Sequence, residues 1–115
     1  MQTPGQAALL RIYTEEARRD GARPLYESVV LKAREAGLAG ATVLRGPMGY
    51  GHSHRLHNAN ILDLSANLPL VVEIVDAEDA LRAFAASLAA LSDIGLVTLE
   101  KVEVLHGAPA ARPGN

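Results

Sequence analysis

The stretch Leu70-Val71-Val72-Glu73-Ile74-Val75-Asp76-Ala77-Glu78-Asp79 decides the fold. Residues 70–75 are aliphatic apart from Glu73 and predict a strand. Asp76 then fits a helix N-cap, with Glu78 and Asp79 in a first turn that the helix dipole favours. A strand apolar on both faces lacks the alternation of a sheet with one solvated face. Something must cover the second face, and the expected cover is another copy of the same chain.

Downstream, Leu81, Phe84, Ala85, Leu88 and Leu91 form the apolar stripe of that helix, and Gly95 stops it. Residues 96–105 predict a last strand whose phase changes. Val97 and Leu99 share one face, whereas Val102 and Val104 take the other. A β-bulge at Glu100-Lys101 reconciles them; the alternative is a strand whose two ends bury different faces. Upstream, residues 8–14 predict a strand with Leu10 and Ile12 on one face. Gly21 marks a turn and Pro24 opens a helix, where its missing N–H costs nothing. Tyr26, Val29, Val30 and Ala33 recur at helical spacing up to Gly37, a C-cap. Residues 41–45 predict another strand, stopped by Gly46-Pro47. The order is β-α-β-β-α-β. This is an α+β, ferredoxin-like arrangement: a four-stranded antiparallel sheet, two helices on one face and a long loop between the second and third strands.

Composition narrows the function. A chain of 115 residues is one domain, expected to span residues 8–106 between a flexible start (1–7) and a Pro- and Gly-rich disordered tail (107–115). The net charge of −2 and an aromatic content of 3% disfavour gripping or stacking nucleic acid. With no cysteine there is no disulfide, thiol chemistry or thiolate metal site. The sequence lacks a membrane-length apolar run and a signal-like start, so the expected compartment is cytoplasmic.

The densest chemistry lies in residues 47–67, far longer than the ~2–5 residues of a simple hairpin loop. Arg45-Gly46-Pro47-Met48-Gly49-Tyr50-Gly51-His52-Ser53-His54-Arg55 combines cations with glycines that permit close backbone approach. Arg45, Gly46, Gly49, Gly51, His52 and Arg55 are the candidate ligand-binding residues for a small anion such as a phosphate. The bland alternative is turns in an exposed loop. Tyr50 is the candidate partner contact. His52, His54 and His57 are an alternative metal site, since the first two share a side in extended chain and the third can fold back. A small enzyme acting on a phosphorylated compound is the third reading, with no catalytic residue assigned. Glu15-Glu16 and Arg18-Arg19-Asp20 read as a solvated turn, and Glu73 as one half of a structural ion pair. Lys101 reaches either an anion or water.

Four blocks carry a resemblance: Pro24-Leu25-Tyr26-Glu27; Gly37-Leu38-Ala39-Gly40-Ala41-Thr42-Val43-Leu44-Arg45-Gly46; Gly49-Tyr50-Gly51; and Leu68-Pro69-Leu70-Val71-Val72-Glu73-Ile74-Val75-Asp76. Together they resemble the PII-like family catalogued as domain of unknown function 190, within the GlnB/CutA-like superfamily, over residues 9–105. The resemblance implies a ferredoxin-like subunit assembled as a homotrimer. It further implies signal transduction through an adenine nucleotide or related effector held between subunits. In PII proteins the loop joining strands two and three, the T-loop, reports the bound state; here it corresponds to residues 47–67. The resemblance also implies a membrane channel or transporter as partner. One departure weighs against ATP bound in the PII manner. Where those proteins carry a glycine-rich loop with a lysine, this chain has Leu91-Ser92-Asp93-Ile94-Gly95-Leu96. Nor does Tyr50 match their modified tyrosine.

Overall fold

The structure, a computed structural model, describes residues 6–51, 57–58, 67–91 and 94–107. Its elements are β1 (Ala7–Glu15), β2 (Arg19–Asp20), β3 (Arg23–Pro24), α1 (Leu25–Glu35), β4 (Thr42–Arg45), β5 (Met48–Gly49), β6 (His57–Asn58), β7 (Pro69–Asp76), α2 (Glu78–Leu88) and β8 (Val97–Val102). β4, β7, β1 and β8 form one antiparallel sheet in that order. With α1 and α2 on one face, this is the ferredoxin-like arrangement the sequence predicts.

Strand periodicity decides which face the helices cover. Ala8, Leu10 and Ile12 of β1 face Asp76, Ile74 and Val72 of β7 in register. These aliphatic residues form one buried cluster with Leu25, Val29 and Ala33 of α1 and Leu81, Phe84 and Leu88 of α2. Leu25 joins Val29 and Ala33 in the buried stripe, while Tyr26 and Val30 pack beside it half-buried. Gly37, at φ +77°, closes α1: its N–H bonds Arg34 O at 3.1 Å and the Leu38 N–H bonds Ala33 O at 3.1 Å. That pair of bonds is the Schellman motif, which left-handed glycine permits.

Three sequence expectations need correction. No bulge interrupts β8: its register against β1 runs unbroken from Ala7↔Val102 to Ile12↔Val97. Val97 and Leu99 pack on the core, Val102 faces the other side, and Val104 lies beyond the strand. Asp76 is not the N-cap. It ends β7 fully buried, its Oδ1 accepting from Ala77 N–H at 2.7 Å and its Oδ2 from Ala39 N–H at 2.9 Å. Ala77 takes the cap position without a side-chain bond. The carboxylate thus fastens the α1–β4 connection to the end of a central strand. Finally, residues 15–24 are more than a solvated turn. β2 and β3 pair as a hairpin, and buried Ser28 Oγ donates to Asp20 Oδ2 at 2.7 Å, tying it to α1.

The sheet face away from the helices carries two apolar files and one charged file. Leu44, Val71 and Tyr13 lie side by side across β4, β7 and β1, and Val75 lies beside Leu9. Between them Thr42, Glu73, Arg11 and Thr98 form a row. Arg11 Nε donates to Glu73 Oε2 at 3.0 Å and its Nη1 to Glu100 Oε1 at 2.5 Å. Glu73 therefore has its ion-pair partner within the chain. The hydrogen bonds to Glu73 and then Glu100 raise the Arg11 pKa, so the guanidinium stays charged throughout the accessible pH range. No described helix is long and apolar enough to cross a membrane.

Candidate functional site

The site forms where β1 ends beside the start of β7, with Glu15 opposite Pro69, and where β4 ends opposite Leu70. Antiparallel pairing therefore brings Arg45, the last residue of β4, to the segment after β1. Its guanidinium makes an ion pair through Nε with Glu16 Oε1. The Arg45 side chain is 65% exposed and that of Glu16 only 29%. Glu16 Oε1 itself is sealed from solvent and accepts no hydrogen bond among the described residues. Positive charge from Arg45 is what offsets it. Beside the pair lies a small cleft of about 220 Å³ walled by Tyr26, Val43 and Leu70.

Both roots of the long connection are fastened here. On the leading side, Gly46 N–H donates to Pro69 O at 2.9 Å. A Cβ on Gly46 or on Gly49 would sit 3.2 Å from Pro69 Cγ, so glycine lets the chain lie close against that ring. Met48 and Gly49 then pair with Asn58 and His57, a short ladder inside a segment read from sequence as one loop. On the trailing side, Glu16 N–H donates to Leu68 O at 3.0 Å and Ala17 N–H to Asn67 Oδ1 at 2.7 Å. Glu16 thus touches both roots: Arg45 with its carboxylate and Leu68 with its amide.

Of the predicted site residues, Arg45, Gly46 and Gly49 come together at this root. Tyr50 is 66% exposed, and Gly51 follows it on the surface. His52, His54 and Arg55 lie outside the described residues, and His57 is placed by its backbone alone, opposite Gly49. The alternative histidine metal site therefore falls outside what is described. Lys101 stands at the opposite end of the sheet, across from Ala8. It borders a larger cleft of about 570 Å³ with Arg82, Glu78 and Asp79, whose charges offset one another.

Sequence reading missed Glu16, Asn67 and Pro69 as parts of this site. Glu16 looked like one charge among several in a polar run. The available signal was topological: in a β-α-β-β-α-β chain the end of the first strand neighbours the start of the third, where the long loop returns.

The family model DUF190, described as uncharacterized ACR, matches residues 7–104. A UPF0166 protein of Aquifex aeolicus (strain VF5) is 39% identical over 98 residues, covering 85% of this chain and 92% of that one. Among solved structures, CPII from Thiomonas intermedia K12, bound to ADP and bicarbonate, superposes with a TM-score of 0.58 at 21% identity, over 88% of this chain and 90% of that chain. The divalent ion tolerance protein CutA1 from Ehrlichia chaffeensis gives 0.54 at 11% identity, over 91% and 87%. At these identities the two structures share the fold.

Proposed function

Because the chain belongs to the DUF190 family and has a PII-like fold, we propose that it is a trimeric signalling protein. It binds a small anion, an adenine nucleotide in the leading case, in the clefts between subunits. One observation carries this reading: an arginine exposed beside a cleft, at the root of the longest connection in the chain. Arg45 supplies the charge and its fork geometry for a phosphate or carboxylate. Gly46 and Gly49 let the backbone approach the ligand closely. The bound state then biases the 46–67 connection, whose exposed Tyr50 meets a partner, by ligand-driven population shift. ADP and bicarbonate in the CPII structure support the choice of probes. The cleft within one subunit, about 220 Å³, suits one phosphate group, leaving the rest of a nucleotide to a neighbouring subunit.

Self-association supports the reading from the other side of the sheet. Leu44, Tyr13 and Val75 are exposed large apolar residues on the face opposite the helices. Covering that face with further copies buries them and excludes water from the Arg11–Glu73 pair.

Isothermal titration of ADP, AMP, inorganic phosphate and bicarbonate into the assembled protein tests the proposal. Saturable binding by at least one, weakened tenfold or more by Arg45→Gln, is the expected result. Absence of binding by all four, or equal affinity in Arg45→Gln, removes Arg45 from the function.

A further inference from the structure

Glu16 has two attachments that pull on different parts of the site. Its carboxylate holds Arg45 at the leading root of the long connection, while its amide, with that of Ala17, holds Leu68 and Asn67 at the trailing root. We propose that Glu16 is a resident counter-ion that an incoming anion must displace from Arg45, so that the Glu16–Arg45 pair is a self-inhibiting latch on the anion site. The inference rests on the anion-binding role of Arg45 and adds to it the residue that regulates that role.

The electrostatics set the direction. While the pair is closed its net charge is zero, and an anion approaching Arg45 meets a guanidinium already paired with a carboxylate. A bidentate phosphate or carboxylate needs the full charge of that group, and like charges around one cation compete for it. Arg45 is the exposed member of the pair, mostly in solvent, whereas Glu16 is mostly covered. Giving up Arg45 has a consequence for Glu16. Its buried Oε1 accepts no hydrogen bond among the described residues, so a carboxylate that loses the Arg45 charge is left in a poor environment. It must turn outward to water, and the segment carrying it includes the two amides that hold Leu68 O and Asn67 Oδ1. Anion binding at one root is thereby coupled to loosening at the other. Coupling of two equilibria is reciprocal: whatever opens the pair favours the anion, and the anion favours the open pair.

This sign is opposite to that of a purely positioning role. If Glu16 served only to orient Arg45 for its ligand, neutralising it would weaken binding. As a competitor, neutralising it strengthens binding.

The experiment titrates inorganic phosphate and ADP into the parent, Glu16→Gln, Arg45→Gln and the double variant, each confirmed to be folded and of the same mass. Amide hydrogen exchange is followed at Glu16 and Ala17 in parallel. Glu16→Gln, which preserves shape, is expected to bind the anions about tenfold more tightly than the parent. The same variant, without ligand, is expected to exchange the Glu16 and Ala17 amides several-fold faster. Arg45→Gln and the double variant are expected to lose the binding. Binding by Glu16→Gln alone, with none in the parent, overturns the anion-binding role of Arg45 in the native protein and the latch with it. Unchanged or weaker binding in Glu16→Gln, with Arg45→Gln still defective, overturns the latch and leaves the anion site standing. Binding by none of the four, or equal binding by all, overturns both. Amide exchange at Ala17 that Glu16→Gln leaves unchanged overturns the coupling between the two roots.

Discussion

A Cβ built on Gly95 would lie 2.2 Å from the carbonyl oxygen of Tyr13. The chain leaving α2 therefore crosses the end of β1 at backbone contact, and the Tyr13 N–H secures it by donating to Leu96 O at 2.9 Å. Backbone rather than a flexible side chain blocks the space, so any other residue forces the strands apart. Gly95→Ala is expected to cost about 2 kcal/mol through this displacement and the weakened hydrogen bond. Urea denaturation reads it directly; an unchanged midpoint would show that the crossing is loose.

Asp76 ties three parts of the chain together from a fully buried position. Asp76→Ala removes the acceptor for the Ala39 and Ala77 amides and leaves a void. The expected loss is about 3 kcal/mol, since bonds to a charged acceptor are worth roughly 1.5–3 kcal/mol each. If Asp76 were only a helix cap, the loss would stay near 1 kcal/mol. Chemical denaturation distinguishes the two.

Leu10 lies at the centre of the core, paired with Ile74 on one side and Leu99 on the other. Leu10→Ala is expected to destabilise by about 3 kcal/mol, the usual effect of a core cavity. A loss below 1 kcal/mol, measured by thermal or urea unfolding, would mean that the two helices close over the gap.

Val71 stands between Leu44 and Tyr13 in the middle of the apolar file on the uncovered sheet face. A lysine there points away from the core and leaves the fold intact, as circular dichroism would verify. It is expected to convert the assembly to monomers, seen as a threefold drop in mass by light scattering. A parent and a Val71→Lys variant of equal mass would move the subunit contact elsewhere.

Much of the fold was legible because it rests on local pattern. Leu10 and Ile12 at period two, Val29 and Ala33 at period four, and the Gly37 stop each announce their element without tertiary help. The parts that were not legible depend on register. Nothing near Glu100 tells whether β8 carries a bulge until Leu10 is seen opposite Leu99. Asp76 looks like a cap because aspartate before a helix is one; only the position of Ala39, far away in sequence, shows its second bond. The site divides in the same way. Arg45 and its glycines stand out by composition, whereas Glu16 acquires its role from the strand pairing that carries it to Arg45. Asn67 and Pro69 are likewise ordinary loop-end residues until the two roots are brought together.

Whether Arg45 receives an anion where subunits meet is read from a crystal structure of the protein grown with ADP. The expected result is copies packed through the face bearing Leu44, Val71 and Tyr13, with phosphate oxygens about 3 Å from the Arg45 guanidinium. Glu16 is expected to be turned away from that guanidinium. ADP bound elsewhere with the Glu16–Arg45 pair intact, or subunits packed so that Arg45 faces no cleft, would contradict it.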